Sequence, residues 1–164
     1  MHVMSIEQEE KKYIHSYLVN RSINYKESSF ICEYFSDFVP QDIVDIHDLK
    51  NLEQALELMI PGEDRKLNGA FFTPTSVVKN IISELNPLQN ETCIDFACGC
   101  GAFLIELVEY IYDKSGKDIN LILSENIFGC DILDYNVRRT KVLLAVYALE
   151  NGVVITEAEG VTLF

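Results

Sequence analysis

The chain has 164 residues, 48% hydrophobic and 24% charged, with 26 acidic against 13 basic side chains and a formal net charge of −13. This is the ordinary range for a soluble globular protein, long enough for one domain with a real core or a core plus a helical extension. No apolar run approaches the roughly 18 residues of a membrane span, and the early Glu7, Glu9, Glu10, Lys11 and Lys12 do not make a signal peptide, so a cytoplasmic setting is expected.

In chain order, Ser5-Ile6-Glu7-Gln8 has the form of a capping box and predicts a helix from Ile6 to about Val19. Phe30, Ile31, Tyr34, Phe35 and Phe38 are spaced for a second helix that ends before Pro40. Leu49, Leu52, Leu56 and Met59 predict a third, stopped by Pro61-Gly62. Residues 1–62 thus read as a helical segment whose aromatics are packing groups, and the polar stretch 63–68 reads as a linker. A further helix is expected from Pro74 to about Leu85, with Thr73 as its N-cap and Val77, Val78, Ile81, Ile82 and Leu85 on its buried face. Asn86-Pro87 ends it.

Cys93, Ile94 and Phe96 form a short apolar run suited to a buried parallel strand, with Asp95 near its end. Gly99 and Gly101 follow, and then an amphipathic helix from about Phe103 to Asp113. Strand, acid, glycine turn and helix, in that order, place a small-ligand site at the carboxyl end of the strand. The glycines let backbone approach a ligand, and the helix directs its free N–H groups there. Ile127 to Asp131 reads as a second strand, Tyr135 to Glu150 as a long helix stopped by Asn151-Gly152, and Val153-Val154-Ile155 as the start of a third strand. Arg138, Arg139 and Lys141 are the closest basic cluster, explained by a solvated helix face.

The five cysteines, Cys32, Cys93, Cys98, Cys100 and Cys130, are an odd set without a secretory signal and argue against a disulfide framework. Cys98-x-Cys100 does not match the Cys-x2–4-Cys pairs of structural zinc sites, so no metal is expected and the cysteines read as small apolar residues. The glycine turn lacks the third glycine of a dinucleotide fingerprint, the next strand-end acid falls well beyond the usual ~20 residues, and no Gly-Lys-Ser/Thr follows.

Asp95-Phe96-Ala97-Cys98-Gly99-Cys100-Gly101-Ala102-Phe103-Leu104 resembles the S-adenosylmethionine loop of class I methyltransferases. It looks most like the Asp-Pro-Ala-Cys-Gly-Ser-Gly-x-Phe-Leu form of DNA adenine-N6 methyltransferases in restriction–modification systems. Phe96 stands where that family usually has Pro, and Cys100 where it usually has Ser. Gly129-Cys130-Asp131-Ile132 resembles the family's second-strand Gly-x-Asp-Ile, and Gly69-Ala70-Phe71-Phe72-Thr73-Pro74 its Gly-x-Phe/Tyr-x-Thr-Pro segment. The resemblance implies an α/β fold: a partial Rossmann-like methyltransferase sheet over 69–164, preceded by the helical segment, with S-adenosylmethionine as cofactor. It places Phe71, Phe72, Thr73, Pro74 and Asp95 beside the methionine end, with Ala97, Gly99 and Gly101 in the loop. It makes Asp131 the acceptor for both ribose hydroxyls and Ile132 the adenine wall; on the residues alone, Asp131 could equally cap the following helix.

The family's catalytic Asn/Asp-Pro-Pro-Tyr/Phe segment, which holds the flipped adenine, does not occur in the sequence. No catalytic residue is therefore assigned, and the chain is expected to be the cofactor-binding part of a larger or split enzyme, inactive alone. DNA contact is expected through the missing half or a specificity subunit, with a restriction subunit as a further partner, because so acidic a surface is poor for phosphate binding. The alternative is a non-catalytic protein-interaction module that keeps a methyltransferase-like fold.

Overall fold

The computed structural model describes residues 5–40, 42–63, 66 and 73–155. Helix α1 (Ile6–Asn20) starts as expected, with the Gln8 N–H donating to Ser5 Oγ at 3.3 Å. Only half of the capping box forms, because the Gln8 side chain donates to Asp37 Oδ2 instead. Helix α2 (Ser29–Tyr34) is shorter than the aromatic spacing predicts. The chain leaves it at Phe35 and turns, so that Phe35 and Phe38 pack around His15, with ring centroids at 5.9 and 5.5 Å. Helix α3 (Leu49–Leu58) is capped by Asp48 and buries Leu52 and Leu56. Of the expected linker, Glu63 and Lys66 are described, and both are helical.

Helix α4 (Thr75–Leu85) begins one residue late: Pro74, not Thr73, occupies the N-cap, in an extended conformation (ψ 136°) and without a side-chain cap bond. The Pro74 carbonyl accepts from Val77 and Val78. Of its predicted apolar face only Val78 and Ile82 are buried, while Val77, Ile81 and Leu85 are exposed. Among the described residues the helix packs mainly on α5 (Ala102–Ser115), which covers a single line of its stripe.

Strands β1 (Cys93–Asp95) and β2 (Ile127–Gly129) are parallel, with Cys93 opposite Ile127 and Asp95 opposite Gly129. Both are shorter than expected, with Phe96, Cys130 and Asp131 lying beyond the ladder. Ile94 and Phe96 are exposed rather than buried, and Phe96 is 74% accessible. The expected third strand at 153–155 does not form among the described residues. Ile155 is buried there all the same, its carbonyl accepting from Ser28 Oγ at 2.6 Å. After α5, a short helix α6 (Ile119–Leu121) runs into a π-helical turn over Ile122–Asn126, which no sequence pattern announced.

Helix α7 (Asp134–Glu150) is the centre of the core, buried without interruption from Val142 to Leu149. Apolar residues all round a helix mean a helix packed on every side, and each fully buried Val or Leu contributes roughly 1.5–3 kcal/mol. The α/β side is supplied by Leu104, Ile105, Val108 and Ile111 of α5, and the other side by the N-terminal helices. Tyr17 donates to Glu150 at 2.7 Å, and Arg21 pairs with the same carboxylate. Arg139, expected on a solvated face, is instead 1% exposed and donates to Glu10, itself 3% exposed. Its neighbour Arg138 does stay near solvent, 3.6 Å from Glu7.

Candidate functional site

The turn after β1 is held from three directions. Asp95 Oδ1 accepts from the Ala97 N–H at 3.0 Å, closing the first bend. The Cys98 N–H donates to the Cys130 carbonyl and the Cys130 N–H to the Asp95 carbonyl, so the turn stays tied to the segment after β2. From below, Thr140 Oγ1 of α7 donates to the Gly99 carbonyl at 2.9 Å. Gly99 and Gly101 both have positive φ, +53° and +91°. A Cβ on Gly101 would stand 2.9 Å from the Thr140 methyl, so this glycine is required by close packing as well as by backbone conformation.

Asp131 makes the fourth tie. Its Oδ2 accepts from the Gly99 N–H at 2.9 Å, and its Oδ1 from the Leu133 N–H at 2.8 Å and Asn136 Nδ2 at 3.2 Å. The same carboxylate therefore caps the approach to α7 and braces the glycine turn. A carboxylate offers about four lone-pair directions, so these three bonds leave room for one more donor.

Together these residues open a cavity of about 450 Å³ at the carboxyl ends of the strands. Of the residues singled out from the sequence, Thr73, Asp95, Ala97, Gly99, Asp131 and Ile132 line it. Pro74 and Gly101 do not: Pro74 starts α4, and Gly101 lies beneath the turn against Thr140. Phe71 and Phe72 lie outside the described residues. Ile132 is 82% exposed and stands with Phe96 on the cavity lining, two apolar side chains without cover. Helix α5 begins at the cavity with no side-chain cap, and its first residues, Ala102 and Phe103, line the wall.

Sequence reasoning missed the opposite wall. Glu53, Glu57 and Ile60 come from α3 and the turn after it. The available signal was a glutamate directly after Leu52, on the edge of an apolar stripe where a solvated residue does not belong. Glu53 is 1% exposed, and burial pushes its carboxyl up to about 7. Burial also raises Asp95, partly opposed by the Ala97 N–H. Cys98 and Cys100 are buried, their thiols pushed up to about 12 by burial, so they are neutral packing groups at ordinary pH.

The electrostatics are one-sided. Glu53, Glu57, Asp95 and Asp131 line the cavity, and no Lys, Arg or His is among the described lining residues. A unit positive charge ~4 Å from one carboxylate gains about 4 kcal/mol at an effective dielectric of ~20; a phosphate would meet the reverse sign. On charge alone, this lining favours cationic or neutral ligands over polyphosphates.

The family model described as N-6 DNA Methylase matches residues 52–158, well over half of the chain. The type I restriction enzyme MjaIX methylase subunit of Methanocaldococcus jannaschii is 32% identical over 93 residues, which are 57% of this chain and 16% of that protein. A modification subunit of a putative type I restriction enzyme from Vibrio vulnificus aligns with TM-score 0.45 at 22% identity, over 70% of this chain and 24% of that one. The type I restriction enzyme EcoKI M protein aligns with TM-score 0.47 at 18% identity, over 97% of this chain and 32% of that one. The chain thus spans about one-sixth of its curated relative's length. On the match over 52–158, the chain belongs to the N-6 DNA methylase family.

Proposed function

We propose that the chain is the cofactor-binding portion of a site-specific DNA adenine-N6 methyltransferase of a restriction–modification system. Residues 69–164 would form a partial S-adenosylmethionine-binding domain behind the helical segment 1–62. The observation that carries the reading is the acidic cavity at the strand ends, lined by the glycine turn and four carboxylates. S-adenosylmethionine fits that donor set: its sulfonium and ammonium suit an anionic wall, and its adenosine suits exposed apolar side chains beside an acid.

On this reading Asp131 accepts from one ribose hydroxyl through its remaining lone-pair direction while it continues to brace Gly99. Accepting from both hydroxyls requires one present partner to leave. Ile132 lies against the adenine. Asp95 offsets the positive charge of the methionine end, beside Thr73; Phe71, Phe72 and Pro74 are given that place by the family resemblance alone. Gly99 and Ala97 present backbone to the ligand, and Gly101 sets the turn that makes this possible. The uncapped first turn of α5 offers N–H groups to the cofactor's carboxylate. When bound, the cofactor would supply an electrophilic methyl group for displacement by the target adenine N6. Fixed carboxylates and N–H groups that hold the methionine end still contribute orientation to that displacement.

The Asn-Pro-Pro-Tyr/Phe segment is absent from the 164 residues. The chain alone is therefore expected to bind cofactor without methylating DNA, and a specificity or restriction subunit, or further sequence, would bring the DNA. Calorimetry with S-adenosylmethionine on wild type and Asp131→Ala tests the site; equal heats would remove Asp131 from it. Tritiated methyl transfer to adenine-rich duplex by residues 1–164 alone, abolished by Asp95→Ala, would overturn the assignment of base handling elsewhere.

A further inference from the structure

Glu53 is a carboxylate in a place where few carboxylates are found. It is 1% exposed, and its Oε2 has no hydrogen-bond partner. Acidic side chains are almost never fully buried unless paired. Among the described residues Lys50 Nζ forms a salt bridge to this oxygen at 3.6 Å, too long for a good hydrogen bond, and stands 3.5 Å from Glu106 Oε2 as well. One ammonium is therefore divided between two buried acids, and Lys79 approaches only the far oxygen of Glu106. The other three cavity acids are engaged: Asp95 by Ala97, Asp131 by three donors, and Glu57 by a partner of its own. Glu53 also lines the cavity, on α3, a different element from the one that carries Asp131 and Ile132.

We propose that Glu53 accepts the α-ammonium group of the bound S-adenosylmethionine, which makes α3 part of the cofactor site. The inference rests on the cofactor reading above and extends it to a helix outside the family's three recognised segments. An ammonium carries three donors and a full charge; a turn of the Glu53 side chain toward the cavity it lines would give the shielded Oε2 the partner it lacks. Pairing also favours the ionised carboxylate, so binding near neutral pH should release a proton. The groups facing Glu53 are Lys50 and Glu57 on α3, Glu106 on α5 and Cys100 on the turn.

The test is titration calorimetry on the full chain with three ligands. S-adenosylmethionine carries ammonium and sulfonium, S-adenosylhomocysteine the ammonium alone, and 5′-methylthioadenosine neither. Glu53→Gln should weaken the first two by roughly 10- to 100-fold, the range for losing a hydrogen bond to a charged group, and leave methylthioadenosine within about twofold. That retained affinity reports an intact fold. Equal weakening of all three ligands, or none, would overturn the proposal; weakening of S-adenosylmethionine alone would transfer Glu53 to the sulfonium and overturn it too. Wild type that binds none of the three would refute the cofactor reading itself, and this inference with it. Should Glu53→Gln fail to fold, wild type decides: its preference for S-adenosylmethionine over methylthioadenosine should fall as pH drops from about 7.5 to about 5.5, and a flat ratio would refute the proposal.

Discussion

Replacing Gly101 with alanine probes the packing of α7 beneath the glycine turn. Two costs add. At φ +91° an L residue lies past the left-handed well, which costs roughly 1–2 kcal/mol. The new Cβ would stand 2.9 Å from the Thr140 methyl, and Thr140 is fully buried with a stiff χ1, so it cannot swing aside. Overpacking of that kind costs about 1–3 kcal/mol. The sum is about 2–5 kcal/mol. Gly99→Ala is the control: φ is +53° and nothing lies within 4 Å of the added Cβ, so only the backbone cost, ~1 kcal/mol, applies. Thr140→Ser removes the clashing methyl and keeps the hydroxyl that donates to the Gly99 carbonyl. Added to Gly101→Ala, it should recover ~1–2 kcal/mol, within the usual range for residues in contact. Urea denaturation of the four variants and wild type, followed by circular dichroism, reads all of these values. The reasoning is refuted if Gly101→Ala costs no more than Gly99→Ala, or if Thr140→Ser and Gly101→Ala are additive.

Arg139→Met should destabilise the chain by about 3–5 kcal/mol, because it leaves Glu10 charged and buried without its partner; a chemical denaturation curve measures it. Ser28→Ala removes the bond to the Ile155 carbonyl and the cap on the Ile31 N–H, and should cost about 1–2 kcal/mol. In a chain of this size that lowers the melting temperature by about 2–4 °C per kcal/mol. Burial raises Glu53 from 4.5 to about 7, so the folded state holds its proton longer than the unfolded state. Its contribution is fully present below pH ~4.5 and is lost as pH rises through about 7, a loss of up to ~3 kcal/mol. Glu53→Gln should flatten that slope in urea midpoints taken between pH 5 and pH 8, and an unchanged slope would show that other groups set it.

Local chemistry was readable along the chain. Ser5 marked the start of α1, Asn86 the end of α4, and Gly99 and Gly101 the turn between β1 and α5, because caps, breakers and positive φ are decided within a few residues. The order strand, acid, glycine turn, helix, with Asp131 after the second strand, located the cavity, since parallel strands put their carboxyl ends on the same side. What the sequence could not show was what each face meets. Val77, Ile81 and Leu85 have the period of a buried stripe, yet α5 covers only Val78 and Ile82. Arg139 has the look of a surface charge, yet it sits under α1 against Glu10, 129 positions away. Val153 to Ile155 have strand composition but no strand beside them among the described residues, and a strand exists only as one of a pair. Glu53 stands on the edge of its helix's apolar stripe, but that it borders a cavity emerges only when α3 folds over the strand ends. Periodicity records which side chains prefer to leave water. Whether they do so, and whether a buried carboxylate faces a wall or a cavity, depends on elements distant in sequence, so only the tertiary structure decided it.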